Sequence, residues 1–80
     1  MNERIRLIIQ EHARLPIDIS TLPDDANLYA AGLTSHASVN LMLALEEGFD
    51  IEFPDEMLTR GAFESVSSIQ TALSTLGATA

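Results

Sequence analysis

Ser35-His36-Ala37-Ser38-Val39-Asn40-Leu41-Met42-Leu43-Ala44-Leu45-Glu46-Glu47-Gly48 is the stretch whose reading decides the fold. It predicts a helix from about Ser35 or His36 to Glu47, with Gly48 as its C-terminal stop. Val39, Leu41, Met42, Leu43, Ala44 and Leu45 cover more than one helical stripe, so this helix is expected at the centre of the molecule, contacted on several sides. Upstream, Pro16 to Thr34 holds Pro16, Pro23, Asp24-Asp25, Asn27 and Gly32, all loop or turn formers. Loops beyond about 12 to 15 residues in compact domains are usually functional or disordered. Ile17, Ile19, Leu22, Leu28, Tyr29 and Leu33 argue that this one is tied onto the core.

Before the loop, Ile5, Ile8, Ile9, His12 and Leu15 recur at helical spacing over residues 2–15. Asn2 stands as a plausible N-cap, Glu3 in the first turn and Pro16 at the end. His12 lies on or near the apolar face, which points to a structural role. Beyond Gly48, Phe49-Asp50-Ile51-Glu52-Phe53 alternates like a strand, as does Pro16-Ile17-Asp18-Ile19-Ser20. A two-stranded ribbon of these segments is the runner-up architecture, but such a ribbon alone is marginal in water. Pro54 suits the first position of a short helix through Leu58, with Asp55 and Glu56 in its first turn and Gly61 as its breaker. Ser65 then caps a last helix bearing Val66, Ile69, Ala72, Leu73 and Leu76, closed by Gly77. The expectation is a compact all-α bundle of three substantial helices plus a short one. One domain is expected over residues 1–80, ordered over about 2–76, with 77–80 as a tail in which Ala78-Thr79-Ala80 are frayed.

The 80 residues carry 12 acidic against 4 basic side chains, a formal net charge of -8 and a sequence pI of about 4.3. That excludes electrostatic binding of nucleic acid, which needs excess positive charge to neutralise phosphates. A chain this short buries only about 60% of its unfolded surface, which argues against a deep catalytic cleft. There is no cysteine, so disulfides, thiolate metal ligands and an intrinsic nucleophilic thiol are excluded. The charged start Met1-Asn2-Glu3-Arg4-Ile5-Arg6 is unlike a signal peptide, and no run approaches the roughly 20 apolar residues of a membrane span. A cytoplasmic location is expected.

The long loop meets the central helix at Leu28-Tyr29-Ala30-Ala31-Gly32-Leu33-Thr34-Ser35-His36. Ser35 could be no more than an N-cap, since serine is a favoured capping residue. Its setting, Leu-x-x-x-Gly-Leu-x-Ser ahead of Val39, Leu43 and Glu46, resembles the attachment site of acyl carrier and peptidyl carrier proteins over about Asp24 to Ile69. Glu46 to Asp55 and Phe63 to Ile69 resemble that family's later segments in the same order. The resemblance implies an acyl-carrier-protein-like four-helix bundle, with a short third helix and a long loop between helices I and II. It further implies that Ser35 is the attachment point of 4'-phosphopantetheine, donated by coenzyme A, whose thiol holds cargo as a thioester.

General physics is compatible with that role. A helix N-terminus offers unpaired amides and about half a positive charge to a phosphodiester. Gly32 allows a tight turn, and Leu33 can insert into the bundle to fix where Ser35 emerges. Thr34 and His36 stand where the family usually has Asp and a large aliphatic residue, which leaves the modifying transferase open. Gly-Leu-Thr-Ser-x-Ala-Ser-Val and Leu-Met-Leu-Ala-Leu-Glu-Glu-x-Phe-Asp-Ile-Glu-Phe-Pro are similar to small bacterial carriers charged by amino acid:carrier protein ligases. The implied partners are a phosphopantetheinyl transferase, such a ligase or another acyl-loading enzyme, and a downstream acyl or aminoacyl transferase. A monomer is expected. A fatty-acid or polyketide type carrier is the alternative within the class, and a cofactor-free helical adaptor the alternative outside it.

Other chemistry is less well supported. Ser35, His36 and Asp24 or Asp25 suggest a nucleophile, base and acid, but adjacent helical residues splay about 100° apart and no oxyanion-hole motif accompanies them. No catalytic residue is assigned. Asp24-Asp25 lacks the alternating ligands of a calcium loop, and the two histidines are far apart, so no metal site is assigned. His36, like Thr34, flanks the serine and could contact a phosphate or a partner enzyme. Met42 and Met57 read as packing. Glu46, Glu47, Asp50, Glu52, Asp55 and Glu56 form either a solvated face or a docking surface for basic partners.

Overall fold

The computed structural model describes residues 2–13 and 15–78. Three α-helices, α1 (Asn2–His12), α2 (Ser35–Phe49) and α3 (Val66–Thr75), are joined by segments containing 3₁₀ turns at Ile19–Thr21, Asp55–Met57 and Arg60–Phe63. The all-helical class expected from the sequence is the one observed. Among the described residues there is no strand, and the amides of the imagined ribbon are used otherwise. Ser20 N donates to the Asp18 carboxylate at 3.0 Å, starting a 3₁₀ turn, and Phe53 N donates to Glu46 Oε2 at 2.8 Å. None of the helices found is long and apolar enough to cross a membrane.

Asn2 does not act as a cap. It lies inside α1, where its Oδ1 accepts from Arg6 Nε at 2.8 Å and its Nδ2 donates to Asp24 Oδ1 at 2.9 Å. Arg6 also donates to the Ile19 carbonyl at 2.6 Å and pairs with Asp24, so one side chain ties α1 to two points of the long loop. The helix ends at His12 rather than residue 15, and the His12 imidazole is 47% exposed, 3.9 Å from Glu11. It is not a core residue.

α2 runs through Gly48 to Phe49 and is closed by Asp50 in the left-handed conformation (φ 53°). Gly48 is therefore no stop. A Cβ there would lie 3.0 Å from Ile8 Cδ1, so its bareness lets α1 approach. Arg4 meets this end of α2, donating to the Gly48 carbonyl with its guanidinium 5.0 Å over the Phe49 ring. A cation there complements the negative end of the helix dipole. Only one stripe of α2 is covered: Leu41, Leu45 and Phe49 are buried, while Val39 and Leu43 are each 52% exposed. The density of apolar residues does not mark a helix surrounded on all sides.

The short third α-helix is replaced by two 3₁₀ turns. Pro54 is the residue before the first turn rather than its first member, and Gly61 lies within the second. The Thr59 hydroxyl accepts from Ala62 N at 3.3 Å and starts that turn ahead of the glycine. α3 is capped as expected, Ser65 Oγ accepting from Ser68 N at 3.0 Å. At its other end Gly77 (φ 81°) donates to Ser74 O at 3.1 Å and Ala78 to Leu73 O at 2.9 Å, the paired bonds of a Schellman closure. Ala78, expected to be frayed, is held by that second bond, and Thr79 and Ala80 lie outside the described residues.

Ile5 and Ile9 of α1, Leu41 and Leu45 of α2, and Val66, Ile69 and Leu73 of α3 are wholly buried in one cluster. Burying each such side chain stabilises by about 1.5–3 kcal/mol relative to exposure. The loop contributes Ile19, Leu28 and Leu33 to that cluster, whereas Ile17 is exposed and anchors nothing. Phe53 and Phe63 close it edge to face, with ring centroids 5.5 Å apart. Two backbone bonds stitch the loop to the start of α3: Leu28 N to Glu64 O at 2.6 Å and Ser67 N to Asp24 O at 2.9 Å.

Candidate functional site

The segment that delivers Ser35 is built by short-range hydrogen bonds. Asn27 Oδ1 accepts from the amides of Tyr29 at 2.9 Å and Ala30 at 3.2 Å. Leu33 N then returns to Leu28 O at 2.9 Å around Gly32, whose φ is 122°. A Cβ at Gly32 would fall 2.8 Å from Pro16 Cδ, so both the dihedral and the space require glycine. Leu28 and Leu33, 1% and 4% exposed, pin the two ends of this turn into the core. The chain leaves it at Thr34 in extended conformation.

Thr34, and not Ser35, is the N-cap of α2. Its hydroxyl accepts from Ala37 N at 3.0 Å, and its carbonyl accepts from Ser38 N at 2.9 Å. Ser35 is the first helical residue and is exposed, and among the described residues nothing hydrogen-bonds its Oγ. The bland reading of Ser35 as a cap is thereby removed: the capping bond belongs to its neighbour. His36 is also exposed and points to no partner among the described residues.

An open groove of about 340 Å³ runs beside Ser35, walled by Ser38, Val39 and Met42 of α2, by Tyr29 of the loop, and by Leu58, Thr59, Arg60 and Phe63 of the 3₁₀ segment. The Arg60 guanidinium lies 3.9 Å above the centre of the Tyr29 ring. The sequence reading missed both residues as part of a site, Tyr29 being taken only as a core anchor and a lone arginine in a loop having no spacing to mark it.

Asp24 is not brought to Ser35 and His36. It is held at α1, where the hydrogen bond from Asn2 and then the Arg6 guanidinium keep its carboxyl below the usual range. Asp25 sits with it in the turn closed by Ala26 N to Pro23 O at 3.1 Å. The nucleophile, base and acid arrangement is therefore not assembled. The six acids in the last turn of α2 and beyond it divide. Glu47, Asp50, Glu52, Asp55 and Glu56 are exposed, but Glu46 is half-buried and spends its carboxylate on the Phe53 amide.

A family model described as phosphopantetheine attachment site matches residues 3–76. The chain is 53% identical over 70 residues to the aminoacyl carrier protein of Agrobacterium fabrum, covering 88% of this chain and 84% of that one. Among solved structures it is similar to the carrier protein from Agrobacterium tumefaciens in complex with an engineered Bradyrhizobium japonicum glycine:[carrier protein] ligase and AMP. That match has a TM-score of 0.90 and 50% identity, covering 92% of this chain and 99% of the other. A Bradyrhizobium japonicum complex of the ligase with glycylated carrier protein matches with a TM-score of 0.76 and 31% identity, covering 89% and 95%. The protein belongs to the phosphopantetheine-attachment family of carrier proteins, which bear substrates on 4'-phosphopantetheine and are not themselves catalytic.

Proposed function

We propose that residues 1–80 act as a single carrier domain in which Ser35 bears 4'-phosphopantetheine, and that the cargo is an amino acid. One observation carries the assignment to Ser35: it presents an exposed, unspent hydroxyl at the first position of α2, directly after the Gly32-Leu33 turn, because Thr34 does the capping. The residues fit the group. Backbone amides at the start of a 15-residue helix favour an anion, and the chain has no thiol of its own to compete with the imported one. When bound, the arm supplies the thiol that carries the acyl group as a thioester.

The chain's own part is positional. Leu28 and Leu33 fix the turn, Gly32 makes it possible, Thr34 holds the helix start, and Ser35 is left outward for a transferase to reach. Thr34 and His36 line the approach that the transferase must read. The exposed acids Glu47, Asp50, Glu52, Asp55 and Glu56 provide a surface complementary to basic patches on partner enzymes, which speeds encounter without tight binding. The similarity to carriers found with glycine:[carrier protein] ligases supports loading by an amino acid:carrier protein ligase and delivery to a downstream transferase. A cytoplasmic monomer suits such a shuttle.

The test is intact mass after incubation with coenzyme A and a promiscuous phosphopantetheinyl transferase, with Ser35→Ala alongside. One added arm on the wild type and none on the variant is expected. An arm on the variant, or none on either, overturns the assignment. Subsequent incubation of the modified protein with an amino acid:carrier protein ligase, ATP and single amino acids identifies the cargo by mass.

A further inference from the structure

Arg60 is the only charged side chain among the described residues lining the groove beside Ser35. In a chain with 12 acids and 4 bases, a cation held at that place calls for an explanation. Arg4 and Arg6 spend their donors on carbonyls and a carboxylate. Arg60 instead lies over the face of Tyr29, and among the described residues its N–H groups meet no hydrogen-bond acceptor. Of its polar neighbours, Ser38 Oγ donates to Ser35 O at 2.7 Å and Thr59 Oγ1 accepts from Ala62 N, and all are uncharged. Arg60 is therefore the one cationic donor of the groove, and a guanidinium is the side chain whose fork matches two oxygens of a phosphate.

We propose that Arg60, held over the face of Tyr29, receives the phosphodiester joined to Ser35 and draws the start of the arm into the groove. The inference rests on Ser35 carrying the arm. Val39, Met42, Leu58 and Phe63 supply an apolar wall, which suits the dimethyl-bearing pantoyl segment next to the phosphate. Tyr29 is the positioning residue, holding the guanidinium at the groove.

The experiment loads wild type, Arg60→Gln, Arg60→Lys and Tyr29→Leu with the arm, confirms each by intact mass, and reads the phosphodiester by ³¹P NMR against a modified peptide spanning Ser35. In the wild type the Arg60 Nε–H resonance is expected to move between apo and modified protein, and the pantoyl methyls to show NOEs to the Tyr29 ring. In Arg60→Gln the ³¹P resonance is expected at the peptide position, with Arg60→Lys and Tyr29→Leu between the two. An Arg60 Nε–H resonance indifferent to the arm, or one ³¹P position shared by wild type, Arg60→Gln and peptide, overturns the proposal. The wild-type comparison decides the matter even where a variant resists loading. A wild type that gains no arm strikes the Ser35 reading instead, and the mass separates the two failures.

Discussion

The Thr34 hydroxyl accepts a hydrogen bond from the Ala37 amide at 3.0 Å and so closes the first turn of α2 one residue ahead of the candidate attachment point. Capping thereby falls to Thr34, and among the described residues the hydroxyl of Ser35 is left unspent. Thr34→Ala is expected to cost about 0.5–2 kcal/mol, the usual value of a lost N-cap. Ser35→Ala is expected to leave stability within about 0.5 kcal/mol of wild type while abolishing the mass gain. Urea unfolding of both variants checks the pair, and a larger loss in Ser35→Ala than in Thr34→Ala would reverse the assignment of the cap.

Gly32 admits no side chain, since its φ of 122° and the 2.8 Å approach of Pro16 Cδ both exclude a Cβ. Gly32→Ala is expected to destabilise by about 1–3 kcal/mol, the range for a residue forced into a sparsely populated conformation. It should also lower the rate of modification, because Ser35 follows that turn. Thermal unfolding and a time course of intact mass read the two effects separately.

Among the acids behind α2, Glu46 is expected to behave unlike the rest. Glu46→Ala leaves the Phe53 amide without its acceptor and should cost about 1–3 kcal/mol. Glu47→Ala and Glu52→Ala, on exposed carboxylates, should change stability by less than about 0.5 kcal/mol. Their expected effect is on association with a basic partner enzyme, a slower rate whose salt dependence is weakened.

Two carboxyls tie down the long loop and sensitise it to acid. The Ser20 amide and hydroxyl lower Asp18, and the Asn2 hydrogen bond followed by Arg6 lowers Asp24, both from 3.8. A folded-state value below the unfolded one gives stability that is present above about pH 3.8 and is lost as the pH falls through the folded value. Asp24→Asn should therefore be less stable than wild type at neutral pH, with the gap closing in strong acid. Urea midpoints followed downward from neutral pH test the sign, and a gap that widens in acid would refute it.

The helical class, the Ser65 cap, the Gly77 closure and the turn leading to Ser35 were legible because each is signalled by residues close in sequence. What failed depended on partners far along the chain. Gly48 has the composition of a stop, but it faces Ile8 forty residues away, and a glycine at a close approach looks the same in sequence as one at a terminus. Val39 and Leu43 are as apolar as Leu41 and Leu45, and only the position of α1 determines which stripe is covered. Thr34 and Ser35 are both good caps, and a shift of one residue decides which hydroxyl is spent. Asn2 favours a cap by type, yet Arg6 and Asp24 claim its amide.

The stitching of the loop to α3, at Leu28 with Glu64 and at Asp24 with Ser67, has a mechanical consequence. It makes the mount of Ser35 a fixed post rather than a hinge. A tether joined there would start from a stationary pivot, and its free end would range only over the length left outside the groove. For a tether so mounted, reach beyond that length would have to come from movement of the whole bundle and not from the turn.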